Sequence, residues 1–242
     1  MNLYKFSSPK VFYPLAASIY TYMIFASIFF LAIGLYLSFF LAPTDFQQGE
    51  AYRIIFIHVP AAWMSMILYM AMAFWNVVGL SVKSKLSFMM SRAIAPTGAI
   101  FTFVALITGA FWGKPMWGAW WVWDARLTSE LILLFLYIGY ITLVLSFEDS
   151  KRGERVGAIY SIVSVINVPI IYFSVIWWNT LHQGASVSFN QAPSMAATIL
   201  IGMLLMFIAF WTYSVAVIML RIRRIIRAHQ EELMFNHDGM EA

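Results

Sequence analysis

Residues 18–41 read SIYTYMIFASIFFLAIGLYLSFFL, a run with no charged side chain. A helix needs about 20 apolar residues to cross the hydrocarbon core of a bilayer, so this run predicts a membrane span. Five more such stretches follow, at approximately Val59–Leu80, Ala93–Trp112, Thr128–Phe147, Val156–Trp177 and Met195–Leu220. No period-two alternation is sustained, which sets a β-barrel aside. The expected fold is an all-α integral membrane protein: six transmembrane helices in a single polytopic domain over residues 1–242. The first run exceeds the roughly 7–15 apolar residues of a cleavable signal and enters Pro43-Thr44-Asp45 with no small-residue cleavage site. It is read as a retained span.

Composition agrees. Hydrophobic residues are 62% of the chain, charged residues 11%, and mean hydropathy is +0.79. A soluble domain averages roughly 45–50% apolar and 25% charged, so these charges are too few to cover a water-exposed surface. The net charge of +4 invites a nucleic-acid reading, but the basic residues flank apolar segments and form no stripe. They suit membrane lipid headgroups and a topology signal, with no nucleic acid as partner. The chain has no cysteine, which excludes disulfides and thiolate ligation of zinc or haem.

Orientation follows from the placement of Lys and Arg. The N-terminal arm (Lys5, Lys10), the connections after spans two (Lys83, Lys85, Arg92) and four (Lys151, Arg152, Arg155) and the tail (Arg221, Arg223, Arg224, Arg227) carry twelve; the other connections carry Arg53, Lys114 and Arg126. Both termini are therefore expected in the cytoplasm, with a cytoplasmic tail over about 221–242. The connections after spans one, three and five face outward. His58 and His182 share that outer face, whereas His229 and His237 lie in the tail. The basic run Arg221–Arg227 is read first as a positive-inside anchor, ahead of an amphipathic helix on anionic lipid or a contact for a cytoplasmic ATPase subunit. Pro60 suits the start of a helix, and Pro169, inside span five, should kink it.

The outer connection over about 112–127 holds Trp112, Trp117, Trp120, Trp121 and Trp123, five of the ten tryptophans in the chain. An interfacial belt explains single tryptophans, but such a belt is spread among helix ends. Here they are concentrated, with Gly113, Pro115 and Gly118 between them. A loop of that kind can present flat π-faces to a large planar apolar molecule. Asp124 reads as a cap of span four or as an ion-pair partner of Arg126. Arg126 reads equally as an interfacial side chain and as a cation for a ligand carboxylate. Glu130 reads as a first-turn acid favoured by the helix dipole.

Two histidines on one face beside an aromatic platform suit axial ligation of haem iron by neutral imidazoles. A porphyrin with two propionates would use all of these features: flat contacts, imidazoles, and the cations Arg53, Lys114 and Arg126. Zinc is the alternative, with Asp45 or Glu50 supplying carboxylates. Trp177-Trp178-Asn179 adds aromatic surface beside His182.

The run Trp117-Gly118-Ala119-Trp120-Trp121-Val122-Trp123-Asp124 resembles the tryptophan-rich WWD signature of haem-handling membrane proteins. Within that superfamily the chain is similar to the CcmC family of bacterial cytochrome c maturation (System I). The similarity extends over length, the six spans, both outer histidines and the runs Trp112–Tyr140 and Asn167–Gln183. It implies haem b bound at the outer, periplasmic face of the inner membrane, over the WWD loop. His58 and His182 match the family's axial ligands, and Trp112, Trp117, Asp124 and Arg126 match its loop positions. It further implies delivery of haem to the periplasmic chaperone CcmE beside the small protein CcmD and the ABC transporter CcmAB, with no hydrolytic or redox site in this chain. Two other readings remain at this point: a haem-transporting subunit of an ABC exporter complex, marked by ionisable residues deep in the spans, and a scaffold that uses the Trp loop for docking. Few ionisable residues are expected inside the spans.

Overall fold

The computed structural model describes residues 8–182 and 195–241, with side chains up to residue 232 in the last helix. Lys5, Gln183 and the side chain of His237 lie outside the described residues. The helices are α1 (Pro9–Tyr36), α2 (Ile55–Val82), α3 (Lys85–Trp117), α4 (Ala125–Leu145), α5 (Ser150–Ser164), α6 (Asn167–Trp177) and α7 (Ala197–Glu241). A π turn, Leu37–Leu41, continues α1, and a 3-10 turn, Glu50–Ile54, leads into α2. Six segments are long and apolar enough to cross a membrane: Pro9–Leu41, Glu50–Val82, Lys85–Trp117, Ala125–Leu145, Ser150–Trp177 and Ala197–Glu232. The six expected spans are all present, and α5 with α6 makes the fifth.

Local chemistry sets the helix ends. Lys83, in the left-handed region at φ 54°, turns the chain out of α2. Ser84 then caps α3 by accepting the N–H of Ser87 at 3.3 Å. Gly118, at φ 76°, closes α3 with its N–H on the Lys114 carbonyl, the left-handed stop that glycine makes without strain. Asp124 and Asp149 cap α4 and α5.

Three of these ends differ from expectation. Trp112, Gly113, Pro115 and Trp117 belong to the last turns of α3, so the irregular part of the Trp segment begins at Gly118. Pro60 stands in the second turn of α2, because the helical path already starts at Glu50. The tail is no separate segment: Arg221–Arg227 continue α7, and Ile222 and Ile226 between them are fully buried. Pro169 behaves as expected, four residues after a break. Its ring excludes the carbonyl of Val165 from the helical ladder, and that carbonyl accepts the N–H of Val168 at 3.0 Å instead.

Burial ranks the helices. In its most apolar stretch α2 is 56% buried, against 17% for α1; α2 therefore forms the centre and α1 the margin. α3 lies along α2, α7 joins α1 to this pair, and α4, α5 and α6 cover the other side. Without water to drive apolar contact, helices in lipid associate through close packing and interhelical hydrogen bonds. Gly34 lets α1 approach α7, where a Cβ would meet the Met206 sulfur at 2.9 Å. The Ser27 hydroxyl donates across the same seam to the Ala209 carbonyl at 3.1 Å. Between α2 and α5, Asn76 donates to Ser161 at 2.7 Å.

Glu130 departs from expectation. The cap at Asp124 moves the start of α4 to Ala125, which places Glu130 in the second turn instead of the first. It is 6% exposed, and it accepts the Ser65 hydroxyl of α2 at 2.8 Å. Its other carboxyl oxygen is buried without a hydrogen-bond partner among the described residues. Tyr137, one face further along α4, donates to the backbone carbonyl of the same Ser65 at 2.7 Å. A buried carboxyl thus lies inside a span, where almost none was expected.

Candidate functional site

The site lies where α2, the end of α3, the start of α4 and the segment after α6 converge. His58 sits one turn into α2. Its Nδ1 is 3.0 Å from the Ala105 carbonyl and 3.1 Å from the Thr108 hydroxyl oxygen, both on α3. A carbonyl only accepts, and the Thr108 hydroxyl already donates to Val104 at 2.6 Å. Nδ1 therefore carries the proton, which leaves the Nε2 lone pair as the ring's donor for a metal. Gly109 makes the approach possible, since a Cβ there would stand 3.1 Å from Cε1 of His58.

His182 reaches the same place from the far end of the chain. The His58 and His182 ring centres are 6.2 Å apart, tilted by 36°. Trp112 packs edge-on against His58 at 5.6 Å, and Trp117 lies 6.3 Å from His182. The two tryptophans on the last turns of α3 thus flank the histidine pair. Trp112 is held in turn by its indole N–H, which donates to the Gln48 side chain at 2.9 Å.

Asp124 connects the loop to His182. One carboxylate oxygen accepts the Leu127 N–H at 2.8 Å and caps α4. The other accepts the Thr180 hydroxyl, and the Thr180 oxygen accepts the backbone N–H of His182 at 3.0 Å. The cap reading of Asp124 holds, whereas the Asp124–Arg126 ion pair is not formed among the described residues. Arg126 turns inward and donates to the Ile171 carbonyl of α6 at 2.6 Å.

The remaining tryptophans separate into two kinds. Trp120 and Trp123 are 53% and 77% exposed, available to lipid or a partner. Trp121 packs against Trp123 at 5.4 Å, and its buried indole N–H has no hydrogen-bond partner among the described residues. Trp177 and Trp178 are also exposed.

The remaining charged residues of this face have partners within the scaffold. Arg53 donates to Glu50 and to the carbonyls of Ser38 and Ala42, tying the end of α1 to the 3-10 turn. Lys114 donates to the Gly118 carbonyl at 3.1 Å, and its ammonium is 6.0 Å from the Trp120 ring centre. Asp45 accepts the N–H groups of Gln47 and Gln48, and Glu50 bonds Thr44 and Arg53. Neither acid turns to the histidines, and no cluster of three or more His, Cys, Asp or Glu suited to a metal ion occurs among the described residues. Gln48, Thr108, Gly109 and Thr180 had not been singled out. Of these only Thr180 carries a sequence signal, a hydroxyl two residues ahead of a candidate ligand, the spacing of a local side-chain-to-backbone turn.

Known proteins resemble this chain along most of its length. A family model described as "CcmC: Heme exporter protein C" matches residues 2–236. A Haemophilus influenzae protein named "Heme exporter protein C" is 42% identical over 221 residues, covering 91% of this chain and 90% of the relative. Its Escherichia coli K12 namesake is 48% identical over 185 residues, 76% of each chain. A Marchantia polymorpha protein named "Putative cytochrome c biosynthesis ccmC-like mitochondrial protein" is 48% identical over 198 residues, 82% of this chain and 84% of the relative. A match along nearly the whole length, joined to six membrane-spanning helices, leaves one assignment: the chain belongs to the CcmC family.

Proposed function

We propose that this chain holds haem b at the periplasmic face of the bacterial inner membrane, with His58 and His182 as axial ligands of the iron, and passes it to the chaperone CcmE. CcmD and the ABC transporter CcmAB are the expected neighbours. The family name supports haem handling in cytochrome c maturation. The histidine pair supports the specific site.

One observation carries the reading, the 6.2 Å separation of the two imidazole centres. Two imidazoles this close could both reach one metal ion, and they would then hold it between α2 and the segment after α6. The hydrogen bond from His58 Nδ1 to Ala105 fixes its tautomer and leaves Nε2 unprotonated for a bond to the metal. Trp112 and Trp117 supply aromatic surface beside the pair, and the indole N–H of Trp121, without a partner among the described residues, offers a donor to an acidic group.

Haem held by His58 and His182 would supply the iron and the vinyl groups for attachment to the chaperone. The chain contributes orientation. His58 is held from α3, His182 through Thr180 and Asp124, so the ligands sit on independently anchored elements. Fixing one edge of a reactant toward a partner accelerates joining through position alone, and no acid–base pair is required of this chain. Arg126, turned to the Ile171 carbonyl, acts here by holding α4 to α6, the two helices that carry the loop and His182.

His58→Ala and His182→Ala should each deplete haem covalently bound to the chaperone while the protein remains in the membrane at its usual level. Normal chaperone loading with both single variants would overturn the axial-ligand assignment.

A further inference from the structure

At the opposite end of the bundle α3, α5 and α7 line an open cavity of about 370 Å³. Lys85 and Arg92 of α3, Glu154 of α5, and Arg221, Arg224 and His229 of α7 line it, with Glu232 at the edge. Four permanent cations thus face two acids. None of the four lies within 4.0 Å of a carboxylate among the described residues. Arg221 is anchored to the Ala93 carbonyl at 2.5 Å and to Thr97 at 2.9 Å. The Lys85 ammonium is 2.6 Å from Nε2 of His229 and donates to it.

A positive-inside signal explains basic residues in connections. It accounts for Arg92 in the second turn of α3 as well, but does not require that three helices bring these side chains to one concavity. Helices α3 and α5 both begin here, at Lys85 and Ser150, and their N-terminal N–H groups add positive potential at the same end. The cavity exceeds the share of about 30 Å³ that one water takes in the liquid more than tenfold, so it accommodates an anion together with an organic body.

We propose that this cavity is a binding site for the phosphate group of an organic phosphate ester, on the face that the charge count assigns to the cytoplasm. Lys85, Arg92 and Arg224 are its contacts, and Arg221 shapes its wall. Two sources share this chemistry: the headgroup of an anionic phospholipid in the inner leaflet, and a soluble phosphate ester. The site stands apart from the histidine pair, because Lys85 and Trp112 are at opposite ends of one helix, about 40 Å apart at 1.5 Å per residue.

The test uses the full-length protein, delipidated in a neutral detergent, with thermal stability followed against short-chain phosphatidylglycerol, inorganic phosphate and ATP in separate titrations. Saturable stabilisation by phosphatidylglycerol alone identifies a lipid site; the same response to phosphate or ATP identifies a soluble ester. Lys85→Gln and Arg224→Gln replace exposed side chains, and each should weaken binding about fivefold, as expected for one cation near an anionic headgroup. Arg227→Gln removes an exposed cation held outside the cavity by Tyr13 and should change binding less than about twofold on the same scale. No saturable response to any probe overturns the proposal. So does an equal loss in Arg227→Gln, which would mean diffuse attraction to a basic surface.

Discussion

The two ends of α3 solve opposite problems with one helix. At the Trp112 end the chain presents aromatic faces and two imidazoles, and the cations nearby have protein partners: Arg53 with Glu50 and two carbonyls, Arg126 with Ile171, Lys114 with the Gly118 carbonyl. At the Lys85 end four cations face a cavity with two acids. At the outer end the polar groups of Asp124, Thr180 and Gln48 position the histidines and Trp112. A site for an anion requires charge left in excess. Arg53 is bound to Glu50 and two carbonyls at the end of α1, whereas Lys114 donates one of its three N–H groups to the Gly118 carbonyl and stays exposed, with donors left for a ligand carboxylate.

If the two ends are independent, substitutions at one should leave the other unchanged. The largest effect is expected from Gly109→Leu, which drives a branched side chain into the space of the His58 ring. It should displace that ring and abolish bound haem in the purified protein, with phosphate-ester binding at the far cavity unaltered. Asp124→Ala comes next. It removes the α4 cap, worth about 1 kcal/mol, and releases Thr180 and with it the backbone at His182. A lowered midpoint in thermal unfolding together with a shifted haem spectrum is expected, and Asp124→Asn should restore most of the stability. Gln48→Ala frees the Trp112 indole and should cost about 0.5–1.5 kcal/mol, with a small spectral shift. The smallest effect belongs to Arg224→Gln, a surface change that should stay within about 0.5 kcal/mol in stability and leave the haem spectrum as it is. A changed spectrum in Arg224→Gln would couple the two ends and break the comparison.

The spans were legible because hydrocarbon length is a composition problem: about 20 apolar residues signal themselves without any tertiary knowledge. The site residues most easily read were those whose side chains are rare on that face, namely the two histidines and the clustered tryptophans. The helix ends were harder. Pro60 resembles a first-turn proline, but the 3-10 turn at Glu50 precedes it, and a proline inside a membrane helix is tolerated where neighbours accommodate it. Pro115 misled in the same way, since α3 continues through it to Gly118. Glu130 was placed in the first turn because the apolar run of span four starts at Thr128; with Asp124 as the cap, the helix already opens at Ala125. The burial of Glu130 against Ser65 depends on α2, sixty-five residues away in sequence. Gln48 and Thr108 act through single long-range hydrogen bonds, which leave no periodic trace in a chain.

The central claim is that His58 and His182 jointly hold one iron. The most direct measurement is the absorption spectrum of the purified protein beside those of His58→Ala and His182→Ala. Joint ligation predicts a low-spin haem spectrum in the wild type, lost or shifted in each variant. A wild-type protein that stays free of haem when haem and partners are supplied would contradict it, as would a spectrum unchanged in both variants.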